Sequence, residues 1–344
     1  MIDKVLWGTL ALLATGLLLT QPSLKEIEGP VFQKGITYAS WQHNAYDSLE
    51  ASRSLGLLKQ NNAEWVSLVV TWYQETPDAV LHYRDPRLTP DDRGVIRAID
   101  RIHKLGMKVL LKPTVDIQDG TWRGEIRFEK EEEWQAWFSS YRYFITYYAE
   151  LAARCRVEEF CVGVELAGTV QREREWRWII ENVRARFEGP LTYAANWDNY
   201  WEAPFWDALD YVGIDAYFSL VTKDSPTPED LLAAWLPWVE ELETFYEIVK
   251  KPILFTEIGC CSVAGASARP WDWTGDREVD LQEQAYYYEA AFLAVWNKPW
   301  FYGFYWWTWH PELSQIDEEN SGYTPRGKPA EEILRRGYAG PKPR

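Results

Sequence analysis

Two glutamates stand where a carboxylate is costly. Glu165 closes the apolar run Phe160-Cys161-Val162-Gly163-Val164, and Glu257 closes Ile253-Leu254-Phe255-Thr256. Each run reads as a buried parallel strand, and a charge at its tip must be compensated or used. Two carboxyls delivered to one face of one sheet are the equipment of retaining glycoside hydrolysis. One protonates the leaving oxygen, and the other, about 5–5.5 Å away, attacks the anomeric carbon. The plainer reading is two strand-end residues in structural ion pairs. The aromatic and amide groups that fall beside them favour the chemical one.

Such a pair needs elements that bring distant segments together. Eight strand-like runs follow residue 30: Gly35–Ser40, Trp65–Trp72, Lys108–Pro113, Glu159–Glu165, Leu191–Asn196, Tyr211–Tyr217, Pro252–Glu257 and Tyr302–Trp307. Amphipathic segments separate them: Tyr46–Gln60, Pro90–Leu105, Glu131–Arg154, Arg172–Phe187, Glu229–Val249 and Leu281–Trp296. The fifth connection, Tyr200–Leu209, is too short for much helix, and Glu331–Arg336 would close the ring. This alternation predicts a single (β/α)8 barrel over residues 30–336, with 337–344 as a polar tail. In such a barrel the site lies at the carboxyl ends of the strands. Those ends carry Trp41, Trp72, Lys112, Asp116, Asn196, Trp197, Asp215, Tyr217, Trp306 and Trp307, with Trp122 and Arg123 in the third loop. Glu165 and Glu257 then fall on the fourth and seventh strands, facing each other across the mouth.

Composition narrows the partner. The chain of 344 residues is 47% hydrophobic and carries a formal net charge of −16. A large core is therefore expected, and a nucleic-acid partner is not, since there is no basic field to attract phosphates. The 21 Trp and 20 Tyr are unusual. Most should be core, but an indole face also suits the C–H face of a sugar. Residues 5–20, VLWGTLALLATGLLLT, read as an export signal or an uncleaved membrane anchor, so that residues 1–29 are a leader and linker and the barrel acts outside the cytoplasm. The cysteines at 155, 161, 260 and 261 match no zinc pattern, and a disulfide among them is left open. The four histidines show no metal-ligand spacing, and the acidic run Asp317–Asn320 reads as a solvated loop rather than a calcium site. No phosphate-binding or dinucleotide-binding glycine motif occurs. No metal and no organic cofactor is expected.

The ordered set ITYASW (36–41), WVSLVVTWYQ (65–74), VLLKPTVD (109–116), TWRG (121–124), FCVGVEL (160–166), FTEIG (255–259) and RGKPAE (326–331) resembles glycoside hydrolase family 113, within the clan whose acid/base and nucleophile end the fourth and seventh strands. The resemblance covers roughly residues 30–336 and implies a retaining β-1,4-mannanase acting on a polysaccharide or oligosaccharide; a monomer is expected. It makes Glu165 the acid/base and Glu257 the nucleophile, with Tyr217 donating to Glu257. Asn196, Lys112 and Trp72 would surround the cleaved sugar, and Trp306 or Trp307 would floor it. Val164 stands where much of the clan has an asparagine that contacts the sugar, and Thr114 stands where a histidine is expected after Lys-Pro. An exo-acting β-mannosidase or a β-glucan hydrolase remains an alternative on the same barrel. So does a glycan-binding protein without activity, which retention of both glutamates opposes.

Overall fold

The computed structural model describes residues 29–221, 224–313 and 321–343. Eight parallel strands close into a barrel in chain order: β1 (Gln33–Tyr38), β2 (Trp65–Gln74), β3 (Lys108–Ile117), β4 (Glu159–Val164), β5 (Leu191–Asn196), β6 (Val212–Asp215), β7 (Ile253–Ile258) and β8 (Phe301–Trp309). β8 returns to pair with β1, so no edge is left open. The outer layer is α1 (Leu49–Lys59), α2 (Asp92–Lys104), α3 (Glu131–Cys155), α4 (Glu173–Arg184), α5 (Pro228–Val249), α6 (Leu281–Val295) and α7 (Pro329–Ala339). The fifth connection holds only two 3-10 turns, Tyr200–Glu202 and Trp206–Ala208, as its length predicts. Residues 1–28 and the acidic run at 317–320 lie outside the described residues, and with them the apolar stretch at 5–20. Among the described residues no helix is long and apolar enough to cross a membrane.

The helices begin where side chains can satisfy orphan backbone donors. Ser48 accepts from Ala51 N at the start of α1, and Asp91 from Gly94 N at the start of α2. Thr227 and Asp230 cap α5 reciprocally, with Pro228 in its first turn. The final helix is longer than the sequence reading allows. It runs to Ala339 because Leu334 and Tyr338, one turn apart, both bury against the barrel. The Tyr338 hydroxyl donates to the carbonyl of Gly35 at 2.7 Å, which ties the last helix to the first strand.

A strand sends alternate side chains to opposite faces, and in this barrel the two faces differ in kind. Leu68 and Val70 of β2, Leu111 of β3, Val162 of β4 and Phe304 of β8 pack outward, into one cluster with the helices. Trp65, Leu110, Cys161, Val164, Ala194 and Tyr305 point inward and form a separate small core. Six tryptophans, Trp137, Trp176, Trp235, Trp300, Trp306 and Trp309, are fully buried and serve the packing. Cys155, Cys161, Cys260 and Cys261 form no disulfide with one another.

At the amino-terminal end of the barrel the filling is polar. Glu159 is buried and accepts from Gln33 Nε2 at 2.5 Å, while the Tyr305 hydroxyl donates to Gln33 Oε1. Burial pushes the Glu159 carboxyl up to about 8, with the Gln33 amide pulling the other way. A carboxyl whose folded value exceeds its unfolded one contributes stability that is complete below about pH 4.3 and lost as pH rises through the folded value. Glu159→Gln should therefore flatten the fall of thermal stability between pH 5 and 9 and raise Tm at pH 9 by roughly 3 °C or more. Calorimetry across that range decides it. A variant whose Tm tracks the parent at every pH would show that the buried carboxyl is not neutral.

Candidate active site

Lys112 projects into the barrel from β3 and is 1% exposed. Its Nζ lies 2.6 Å from Glu257 Oε1, 3.0 Å from Asp215 Oδ1 and 3.5 Å from the carbonyl of Thr256. The Thr256 hydroxyl donates to the same Asp215 oxygen at 2.8 Å. Burial works against the lysine's charge, but the carboxylates of Asp215 and Glu257 outweigh it and hold the ammonium above its ordinary value. The other oxygen of Glu257 accepts from the Tyr217 hydroxyl at 2.7 Å. Burial and the neighbouring carboxylate push Tyr217 well up, so it stays a neutral donor. Glu257 is thus gripped at both oxygens by β3 and by the segment after β6.

Glu165 has a different setting. It follows β4 with a backbone φ of +50°, a left-handed conformation uncommon outside glycine and characteristic of constrained sites. Its Oε2 accepts from Trp122 Nε1 and from Arg123 Nη1, both at 3.2 Å. Arg123 reaches Asp116 with its other terminal nitrogen, and Asp116 Oδ2 accepts from Trp41 Nε1 at 2.8 Å. Burial raises the Glu165 carboxyl above its ordinary value; Arg123 opposes that rise and the charge of Glu257 adds to it. One carboxyl therefore sits against a buried cation and a tyrosine hydroxyl, and burial pushes the other toward its neutral form.

Aromatic walls rise around this floor. Trp197 stacks on Trp271 of the loop after β7, with centroids 5.0 Å apart and planes 18° apart. Trp41 meets Trp307 edge to face at 6.0 Å. Asn196 is turned toward Asp198, donating at 2.7 Å.

Three expected sugar contacts are corrected. Trp72 faces the helices, not the mouth; it packs on Phe144 and donates to the Tyr148 hydroxyl at 3.0 Å. Trp306 is fully buried against Tyr288 of α6, with centroids 3.7 Å apart. Both have the outward parity of their strands, Trp72 with Val70 and Trp306 with Phe304. The period of two already distinguishes Trp306 from Trp307. Lys112 lies beneath Glu257 and directs its donors to protein carboxylates rather than to a ligand. Of the other groups, Trp41, Asp116, Trp122 and Arg123 gather at Glu165, Tyr217 at Glu257, and Trp197, Asn196 and Trp307 along the rim. The sequence reading placed Asp215 at a strand end without giving it a role, and did not foresee a part for Thr256. Asp215 carries the same signal as the two glutamates, an acid closing the run Val212-Gly213-Ile214. Among the described residues no group of three His, Cys, Asp or Glu could hold a metal ion.

An eight-stranded barrel with facing carboxyls at the tips of β4 and β7, set among indoles, is the layout of a glycoside hydrolase. The chain belongs to glycoside hydrolase family 113, whose model matches residues 36–328. A β-mannanase of that family from Alicyclobacillus acidocaldarius is 36% identical, with a TM-score of 0.83 over 90% of this chain and 97% of that one. A second family 113 enzyme, a β-1,4-mannanase, is 30% identical, with a TM-score of 0.82 over 90% of this chain and 100% of that one. A family 5 mannosidase from Rhizomucor miehei, at 12% identity and a TM-score of 0.64 over 91% and 94% of the two chains, shares the fold. No curated protein matches the chain.

Removing one partner of a buried ion cluster leaves uncompensated charge, typically at a cost of about 3–5 kcal/mol. Lys112→Met should lower unfolding stability by about that amount. Adding Asp215→Asn should restore part of it, because the charge left without a cation is then smaller. Denaturant titration of the two single variants and the double variant checks this. A Lys112→Met protein within about 1 kcal/mol of the parent would contradict it.

Proposed function

We propose that the protein is a retaining endo-β-1,4-mannanase in which Glu165 is the acid/base and Glu257 the nucleophile. The observation that carries the assignment is the asymmetry of the two carboxyls. Glu257 is held by a buried lysine and a tyrosine hydroxyl, whereas burial drives Glu165 toward the protonated form that an acid requires. Its family 113 neighbours, a β-mannanase and a β-1,4-mannanase, support the choice of substrate.

In the first half-reaction Glu165 gives its proton to the glycosidic oxygen, and the C1–oxygen bond breaks. The leaving chain departs as an alcohol, while a Glu257 oxygen bonds to C1. Glu165 is left as a carboxylate. In the second half a water oxygen bonds to C1, its proton passes to Glu165, and the Glu257–C1 ester breaks. Both glutamates return to their starting states, and the anomeric configuration is retained. Tyr217 and Lys112 keep the Glu257 oxygens aimed throughout. The rim indoles offer faces on which successive sugars can stack.

We further propose that the enzyme works outside the cytoplasm. The apolar stretch at 5–20 supports this, and so does a polymeric substrate that does not cross a membrane. Cell fractionation that recovers the protein with the cytosol would contradict it.

The deciding experiment is a panel of mannan, cellulose and xylan with product sizing and NMR of the first-formed anomer. Internal cleavage of mannan with release of β-anomers is expected. Product from cellulose or xylan alone, or α-anomers from mannan, would overturn the reading. Glu257→Ala should lose turnover to the detection limit. Glu165→Ala should lose about 10²–10⁴-fold on mannan, with azide restoring turnover of an activated aryl mannoside.

A further inference from the structure

Each of the two carboxyls has a cation of its own, and each cation has a second carboxylate. Lys112 lies between Glu257 and Asp215, at 2.6 and 3.0 Å. Arg123 lies between Glu165, at 3.2 Å, and Asp116. The two clusters come from different parts of the barrel. Lys112, Asp215 and Glu257 project from β3, β6 and β7, while Arg123 belongs to the connection after β3 and reaches the acid that follows β4.

Resting on the assignment of Glu165 and Glu257 above, we propose that Arg123, anchored by Asp116, is the positioning residue that compensates the negative charge appearing on Glu165 as the charge of Glu257 is consumed, and so fits one carboxyl to act as acid and then as base. The charge accounting follows from the reaction. Before glycosylation the mechanism requires an ionised Glu257 beside Lys112 and a neutral Glu165 beside Arg123. After it, the Glu257 charge is consumed in the ester and Glu165 is ionised, so the surplus negative charge sits on the arginine side. The total does not change. Water returns the proton to Glu165 in the second half and the charge crosses back.

The geometry suits arginine. The guanidinium fork spans two carboxylates with separate terminal nitrogens, Nη1 to Glu165 and Nη2 to Asp116. Asp116 is itself fixed by the Trp41 indole. Trp122 and Arg123 both donate to Oε2 of Glu165, which leaves Oε1 to carry the proton. The charged and titratable groups facing Glu165 are Arg123 with Asp116 behind it, Lys112 from β3, Tyr193 from β5, Asp215 from β6 and Glu257 from β7. Of these, Glu257 alone changes charge during the reaction. Its neutralisation removes an influence that raises Glu165, while Arg123, which lowers it, stays in place.

The test uses two variants with opposite expected signs. Arg123→Met removes the cation, so the alkaline limb of kcat/KM on manno-oligosaccharides should move up by about one pH unit. On an aryl mannoside with a good leaving group, glycosylation should persist and deglycosylation should slow about tenfold or more, giving a burst of released phenol with kcat and KM falling together. Arg123→Lys should recover part of both effects. Asp116→Asn leaves the arginine less neutralised, so the alkaline limb should move down. If Arg123→Met does not fold, Asp116→Asn decides alone, with a downward shift supporting the proposal and an unmoved limb overturning it. A change confined to KM with both limbs in place would overturn it too, because Arg123 would then only bind the leaving sugar. Failure of the underlying assignment looks different: Glu165→Ala would keep the alkaline limb and show no azide rescue, whatever Arg123 does.

Discussion

A buried ammonium between two carboxylates constrains the rest of this molecule. Lys112 sits where water cannot reach it, so its charge must be met from within the barrel. Asp215 and Glu257 meet it, arriving from strands that are distant in sequence and neighbours in the sheet. Their Cα positions pair directly across β6 and β7. Thr256 adds its carbonyl toward the ammonium and its hydroxyl to Asp215. A slip of one residue in β3, β6 or β7 would turn one of these groups to the helix side and leave the others unpaired. The ion cluster therefore fixes the register of the strands that carry it.

The same cluster makes the two glutamates unlike each other. Burial disfavours an ionised Glu165, and the charge of Glu257 nearby adds to that effect while Arg123 opposes it. The loop after β7 is held at its base by Glu283 of α6, whose buried carboxylate accepts from Gly265 N at 2.8 Å, Ser267 N at 2.9 Å and the Ser267 hydroxyl at 2.6 Å. The carbonyl of Ser267 accepts from Leu220 N, which joins that loop to the one after β6. Trp271 is thus presented against Trp197 from a fastened base, and this side of the mouth is a standing wall.

The fold was legible because its signals are local and repeated. Strand-like runs alternate with amphipathic helices, and a missing helix in the fifth connection shows as a shortage of residues. The two glutamates were legible because an acid ending an apolar run is unusual. What sequence order did not reveal was which way each rim residue points and what it bonds to. Trp72 and Trp306 share motifs with true mouth residues but have the opposite parity. Asp116, Trp122 and Arg123 look like sugar-binding groups in a list of strand ends, yet in three dimensions they form a chain of hydrogen bonds ending on Glu165. Their partner lies more than forty residues further along the chain, so no local pattern links them.

The departures from the wider clan fall into place at the same level. Val164, where a sugar-contacting asparagine often stands, belongs to the small core inside the barrel. Thr114, where a histidine is expected, is buried and turns its hydroxyl toward the carbonyl of Lys112 at 3.4 Å. Both positions serve the floor that carries the ions rather than the cleft above it. The groups higher on the rim sit on loops that can change without moving the buried charges. A family 5 mannosidase at 12% identity shares the barrel, and a barrel so shared does not select a sugar. In this chain the ion floor lies beneath an indole and amide rim, and the two are built from different parts of the barrel.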